Sequence, residues 1–161
     1  MSIEDVLTDV IRREGGAVTT DDPADDGGRT QYGISERSNP AAWADGKVTE
    51  AEAREIYRRK YVEWPKFHLI EDSQLQMQCI DFGVHSGPQL VIQKLQEIVG
   101  VDVDGILGPQ TLAAIKKLHP DDVNTALVIA RVKMIGRIVT KSPTQIKYLN
   151  GFLNRALEFL K

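Results

Sequence analysis

Ile3, Val6, Leu7, Val10 and Ile11 recur at i, i+3, i+4, i+7 and i+8, the one-sided apolar stripe of an amphipathic helix. Ser2, with Asp5 three residues on, has the form of an N-terminal capping arrangement, and Gly15-Gly16 supplies the stop. Residues 15–47 lose the period and are dense in Gly, Asp, Pro, Ser and Asn, which predicts loop. Thr49-Glu50-Ala51-Glu52 reads as a capping box that opens a second helix reaching about Tyr61, with Ala53, Ile56, Tyr57 and Tyr61 on its apolar face.

The helical period then dominates. A helix is expected from about Ser73 to Val84 carrying Leu75, Cys79, Ile80 and Phe82, broken by Ser86-Gly87-Pro88. Further helices are expected from Pro88 to Gly100, over about 109–118, and over about 121–139 and 143–160. No β-alternation of useful length, solenoid repeat or low-complexity segment interrupts this. The pattern predicts an all-α protein of about seven helices in one compact domain spanning residues 1–161.

Composition narrows the function. With 42% hydrophobic and 27% charged residues over 161 positions, the chain is an ordinary globular one with room for one core. A net charge of −3 argues against general nucleic-acid binding. The charge is uneven: residues 1–72 hold 16 acidic and 10 basic residues, whereas residues 73–161 hold 7 and 10. Arg131, Lys133, Arg137, Lys141 and Lys147 lie on or between the last two expected helices and could form a basic face toward an anionic polymer. Cys79 is the only cysteine, so no intramolecular disulfide forms, and its place on an apolar stripe predicts a buried structural thiol. The N-terminal stretch has no secretory h-region, and no apolar run is long enough to span a bilayer. Synthesis in the cytoplasm without stable membrane insertion is therefore expected, with some other route letting the protein out.

Candidate chemistry centres on EGGAVTTDDPADDGGRTQYGIS, residues 14–35. Asp102-Val103-Asp104-Gly105 and the Asp21–Asp26 run both fail the calcium-loop pattern, and His68, His85 and His119 lack zinc-type spacing, so no metal is expected. Glu14 stands at the expected C-terminus of the first helix, where the macrodipole and partial burial would favour the protonated carboxyl that a general acid needs. The glycine pair after it would let a bulky polymer approach closely. Asp25 or Asp26 offers a second carboxylate, Thr30 a hydroxyl that could position water, and Tyr32 a ring that could pack on a sugar.

The pattern Glu14-Gly15-Gly16, Asp22-Pro23, Asp25, Gly27-Gly28, Thr30 and Tyr32-Gly33-Ile34 resembles the signature of glycoside hydrolase family 108, the lysozyme-like N-acetylmuramidases of phage endolysins and secretion-activator proteins. The second half is similar to the peptidoglycan-binding region that accompanies it, through Asp81, Ser86-Gly87-Pro88, Leu95-Gln96, Gly100, Asp104-Gly105, Gly108-Pro109-Gln110-Thr111, Asn150-Gly151-Phe152 and Arg155. The resemblance implies a lysozyme-like helical fold, with residues 1–86 as catalytic region and 87–161 as peptidoglycan-binding region. It also implies Glu14 as catalytic acid acting on the β-1,4 bond between N-acetylmuramic acid and N-acetylglucosamine, without a cofactor. Asp25, with Asp26 second, is the expected carboxylate partner; Thr30 is the water-positioning group; Tyr32, Gly33 and His85 are the expected substrate contacts. His85 and Phe152 replace residues usual in the family, Asn and Trp. The expected partner is peptidoglycan, met by a monomer after holin-type release or lysis. Two other readings stay open: a lytic transglycosylase using the same Glu14, and a non-catalytic wall-binding protein that assists secretion.

Overall fold

A computed structural model of the chain describes residues 2–21 and 28–160. It forms two compact units that divide after Trp64. Among the described residues there are seven α-helices and one two-stranded sheet, the all-α, lysozyme-like architecture expected from the sequence.

The first unit begins with α1, Ile3–Arg13, and buries Val6, Leu7, Val10 and Ile11. Its capping box forms as the sequence predicts: Asp5 N–H donates to Ser2 Oγ at 3.2 Å, and Ser2 N–H donates to the Asp5 carboxylate at 2.6 Å. α2, Glu50–Arg58, is capped reciprocally by Thr49 and Glu52 and packs on α1. Arg54 and Arg58, one turn apart, tie the two helices together, since both pair with Glu4 and Arg54 also donates to Thr8 Oγ1 at 3.0 Å. α2 does not run on as α-helix to Tyr61. From Arg59 to Glu63 it widens into a π-helical turn, closed by Trp64 N–H donating to Arg59 O at 2.9 Å.

Between α1 and α2 the structure differs from an all-loop expectation. β1, Thr30–Gln31, and β2, Ile34–Ser35, pair antiparallel in a hairpin. Tyr32 and Gly33 form its two-residue turn with φ of 53° and 73°, positive at both positions as in the primed turns that suit hairpins. Each strand is only two residues long, too short for period-2 alternation to register. Behind the hairpin, a 3₁₀ turn at Pro40–Trp43 buries Trp43, whose indole N–H donates to Ile34 O at 3.2 Å. Arg29 lies over the Trp43 ring and binds Glu36 through two nitrogens, at 2.9 and 2.8 Å.

The second unit is built around α3, Ser73–Ser86, which is buried on several sides through Leu75, Met77, Gln78, Cys79, Ile80, Asp81, Phe82 and Gly83. Burial pushes the Cys79 thiol well above its usual range, consistent with a structural cysteine. α4, Pro88–Val99, and α6, Pro120–Lys141, pack on α3 and on each other. α5, Pro109–Lys116, covers α4, and α7, Leu149–Leu157, covers α6. The turn-rich connector before α5 is organised by buried Gln96. Its amide nitrogen donates to Asp104 at 2.6 Å, to Ile106 O and to Thr111 Oγ1, while its oxygen accepts from Gly105 N–H at 2.9 Å. The final helix starts later than its pattern suggested, because residues Pro143–Tyr148 form a 3₁₀ segment first.

Candidate active site

Glu14 is the C-cap of α1, its N–H donating to Val10 O at 2.9 Å. Gly15 and Gly16 follow with φ of 99° and 56°, so the chain turns out of the helix through conformations that cost side-chain-bearing residues strain. The partial burial expected of Glu14 is not found: the residue is exposed. A helix cap followed by two glycines has too little side-chain mass around it to cover the carboxyl.

The loop after Glu14 is held to the hairpin rather than loose. Tyr32 N–H donates to Gly16 O at 2.9 Å, and Thr20 and Thr30 exchange both backbone hydrogen bonds at 2.8 Å. The Gln31 side chain donates to Ala17 O at 3.0 Å and accepts from Val48 N–H at 2.9 Å. The hairpin turn is thereby brought against the end of α1. A Cβ placed on Gly33 would lie 2.9 Å from Glu14 Cβ and would also strike the Tyr57 hydroxyl. Only glycine permits that approach. Tyr57, buried on α2, donates through its hydroxyl to Tyr32 O at 3.2 Å and fixes the turn from behind. Its ring stacks on Tyr61 at 5.6 Å.

The expected residues thus fall into three groups. Glu14, Tyr32 and Gly33 come together at one place. Thr30 lies in the same hairpin, half-buried, with its hydroxyl 3.4 Å from Gly28 O. Asp25 and Asp26 lie outside the described residues. His85 belongs to the second unit, near the C-terminus of α3, where its Nδ1 is 3.1 Å from Ser86 Oγ and its ring meets Phe152 edge-on at 4.9 Å. Burial and the charges of Arg131 and Arg155 hold the His85 pKa below the usual imidazole value, with Asp81 opposing them. Tyr57 was expected only as part of an apolar face; its role at the turn depends on a hydrogen bond across 25 residues, which periodicity does not carry.

Arg131 does not join an exposed basic face. It is 1% exposed and pairs with buried Asp81 at 2.9 Å, and Arg155 binds the other oxygen of the same carboxylate through Nε at 2.9 Å and Nη2 at 2.8 Å. The Arg131 guanidinium also lies over the Phe82 ring at 5.1 Å. Among the described residues no helix is long and apolar enough to cross a membrane.

The helical fold, with one small hairpin set against the end of its first helix, is that of a lysozyme-like domain. The chain belongs to glycosyl hydrolase family 108, whose model matches residues 7–87, and a predicted peptidoglycan domain matches residues 91–157. It is also similar to the solved structure of Brucella abortus SagA, with 32% identity, a TM-score of 0.68, and coverage of 97% of this chain and 94% of that one. No curated protein matches it. The protein is a peptidoglycan hydrolase with peptidoglycan as its partner.

Proposed function

We propose that the protein cleaves the β-1,4 bond between N-acetylmuramic acid and N-acetylglucosamine, with Glu14 as the general acid. The observation that carries this reading is the seating of Glu14 against Gly33. An acid that must reach a glycosidic oxygen needs a defined position and an open approach, and here the stem of Glu14 is packed while its surroundings are glycine. The exposed carboxyl is open to a glycan chain, which would exclude water from it on binding.

In this mechanism Glu14 gives its proton to the leaving oxygen as the glycosidic bond breaks. Asp25, with Asp26 second, stabilises the oxocarbenium-like centre or activates the incoming water. Thr30 orients that water and Tyr32 contacts a sugar ring. The positive φ of Tyr32, a conformation unfavourable for an aromatic residue, supports a working role for the turn.

Mass analysis of the fragments released from purified peptidoglycan tests the bond. Reducing N-acetylmuramic acid ends are expected as the main product. Reducing N-acetylglucosamine ends would contradict the bond assignment, and 1,6-anhydro ends would make the protein a lytic transglycosylase.

A further inference from the structure

Tyr148, the N-cap of α7, is followed by Gly151, Phe152 and Arg155 at i+3, i+4 and i+7, so the four share one face of the helix. Two of them have partners that explain them: Arg155 binds buried Asp81, and Phe152 packs against His85. The other two are not explained by packing. Tyr148 stays 48% exposed although its ring lies 6.0 Å from that of Phe152. Gly151 sits inside the helix without a positive φ, and a Cβ there would meet nothing within 4 Å. Gly151 is the third residue of α7, and neither backbone conformation nor neighbouring atoms of the unit require glycine there.

Lys147 adds a cation to this face, its ammonium 4.8 Å from the Tyr148 ring centre. An amphipathic ring beside bare backbone suits a pyranose, which presents C–H bonds on its flat face and hydroxyls at its edge. A nearby ammonium suits the free carboxylates carried by the stem peptides of peptidoglycan.

We propose that Lys147, Tyr148, Gly151, Phe152 and His85 form a glycan-binding subsite for a peptidoglycan strand. A sugar ring lies on Tyr148 and over the backbone at Gly151, the Phe152–His85 pair continues the floor, and Lys147 meets a carboxylate. This rests on peptidoglycan being the polymer the protein acts on, and it assigns residues that carry binding rather than chemistry.

The test is co-sedimentation with purified sacculi, using the full chain in a Glu14→Gln background so that the polymer stays intact. Leucine is a better helix former than glycine, so Gly151→Leu should melt no lower than its parent while binding sacculi about fivefold or more weakly, through steric exclusion. Tyr148→Ala should weaken binding by about fivefold as well, and Tyr148→Phe, which keeps the ring, should retain it within about twofold. Unchanged binding in both Gly151→Leu and Tyr148→Ala would overturn the proposal. Binding lost equally in Tyr148→Phe would overturn the stacking role. Digestion of sacculi by the parent protein with Glu14 intact is scored separately: its absence would count against the hydrolase reading, whereas digestion with unaltered variant binding would sink the subsite alone.

Discussion

Glu14 and Gly33 lie so close that a β-carbon on Gly33 would fall 2.9 Å from that of Glu14. The end of α1 and the hairpin turn therefore hold one another, and the position of the carboxyl depends on a residue that has no side chain. Gly33→Ala adds a steric clash with Glu14 and Tyr57 to a φ of 73° that alanine rarely adopts. The variant is expected to lose about 1–3 kcal/mol of stability and to turn over peptidoglycan at least tenfold more slowly. Thermal melting and turbidity clearing measured together check this; a variant with parental melting and activity would show that the turn does not position Glu14.

Tyr57→Phe is a milder probe of the same relationship. It removes the hydroxyl that donates to Tyr32 O and keeps the ring that stacks on Tyr61. The expected cost is about 0.5–1.5 kcal/mol, with a several-fold fall in kcat and little change in KM, because the turn loses its fixed height rather than its surface. A rise in KM with kcat unchanged would instead place Tyr57 in substrate binding.

Asp81 neutralises charge for two arginines in the interior of the second unit. Asp81→Ala leaves both guanidinium groups without that carboxylate, and breaking such a buried arrangement typically costs about 3–5 kcal/mol. Chemical denaturation should show the loss as a lower midpoint. An unchanged midpoint would mean that solvent or other groups already compensate Arg131 and Arg155.

His85 gives the stability a pH dependence with a definite sign. Its folded pKa lies below the value in the unfolded chain, so between the two the unfolded state binds the extra proton. Neutral His85 is therefore no burden above the unfolded value of about 6.5, and stability falls as pH drops below it toward the folded value. His85→Gln should flatten this acid-side loss, seen as a smaller change in melting temperature between about pH 7.5 and pH 5.5. Identical acid-side slopes for parent and variant would remove His85 as the cause.

Much of this architecture could be read from residue order. The Ser2/Asp5 and Thr49/Glu52 capping boxes and the buried stripe of α1 are local patterns, and they form as their spacing dictates. What escaped is non-local or very short. The Thr30–Ser35 hairpin has two-residue strands, the π-turn after Arg58 has no compositional mark, and Arg131 is buried because its partner Asp81 lies 50 positions earlier. The site follows the same division. Glu14 and Gly33 were legible as a motif, whereas their mutual contact and the anchoring by Tyr57 needed three segments brought together in space.

The loop acids should separate by role. Asp25→Asn should slow turnover by about 100-fold if Asp25 supports the oxocarbenium centre or activates water, while Asp21→Asn, an exposed residue beside the Thr20–Thr30 bridge, should stay within a few-fold. Equal, small effects at Asp21, Asp25 and Asp26 would mean that Glu14 works without a carboxylate partner from this loop.

The most direct measurement is the rate of peptidoglycan cleavage by Glu14→Gln. The substitution keeps the size and seating of the side chain against Gly33 but removes the proton that a general acid would give to the leaving oxygen. Cleavage is expected to fall by about 100-fold or more, with helical circular dichroism and melting temperature unchanged. Activity retained within a few-fold by a folded Glu14→Gln protein would contradict the assignment of Glu14 as the catalytic acid.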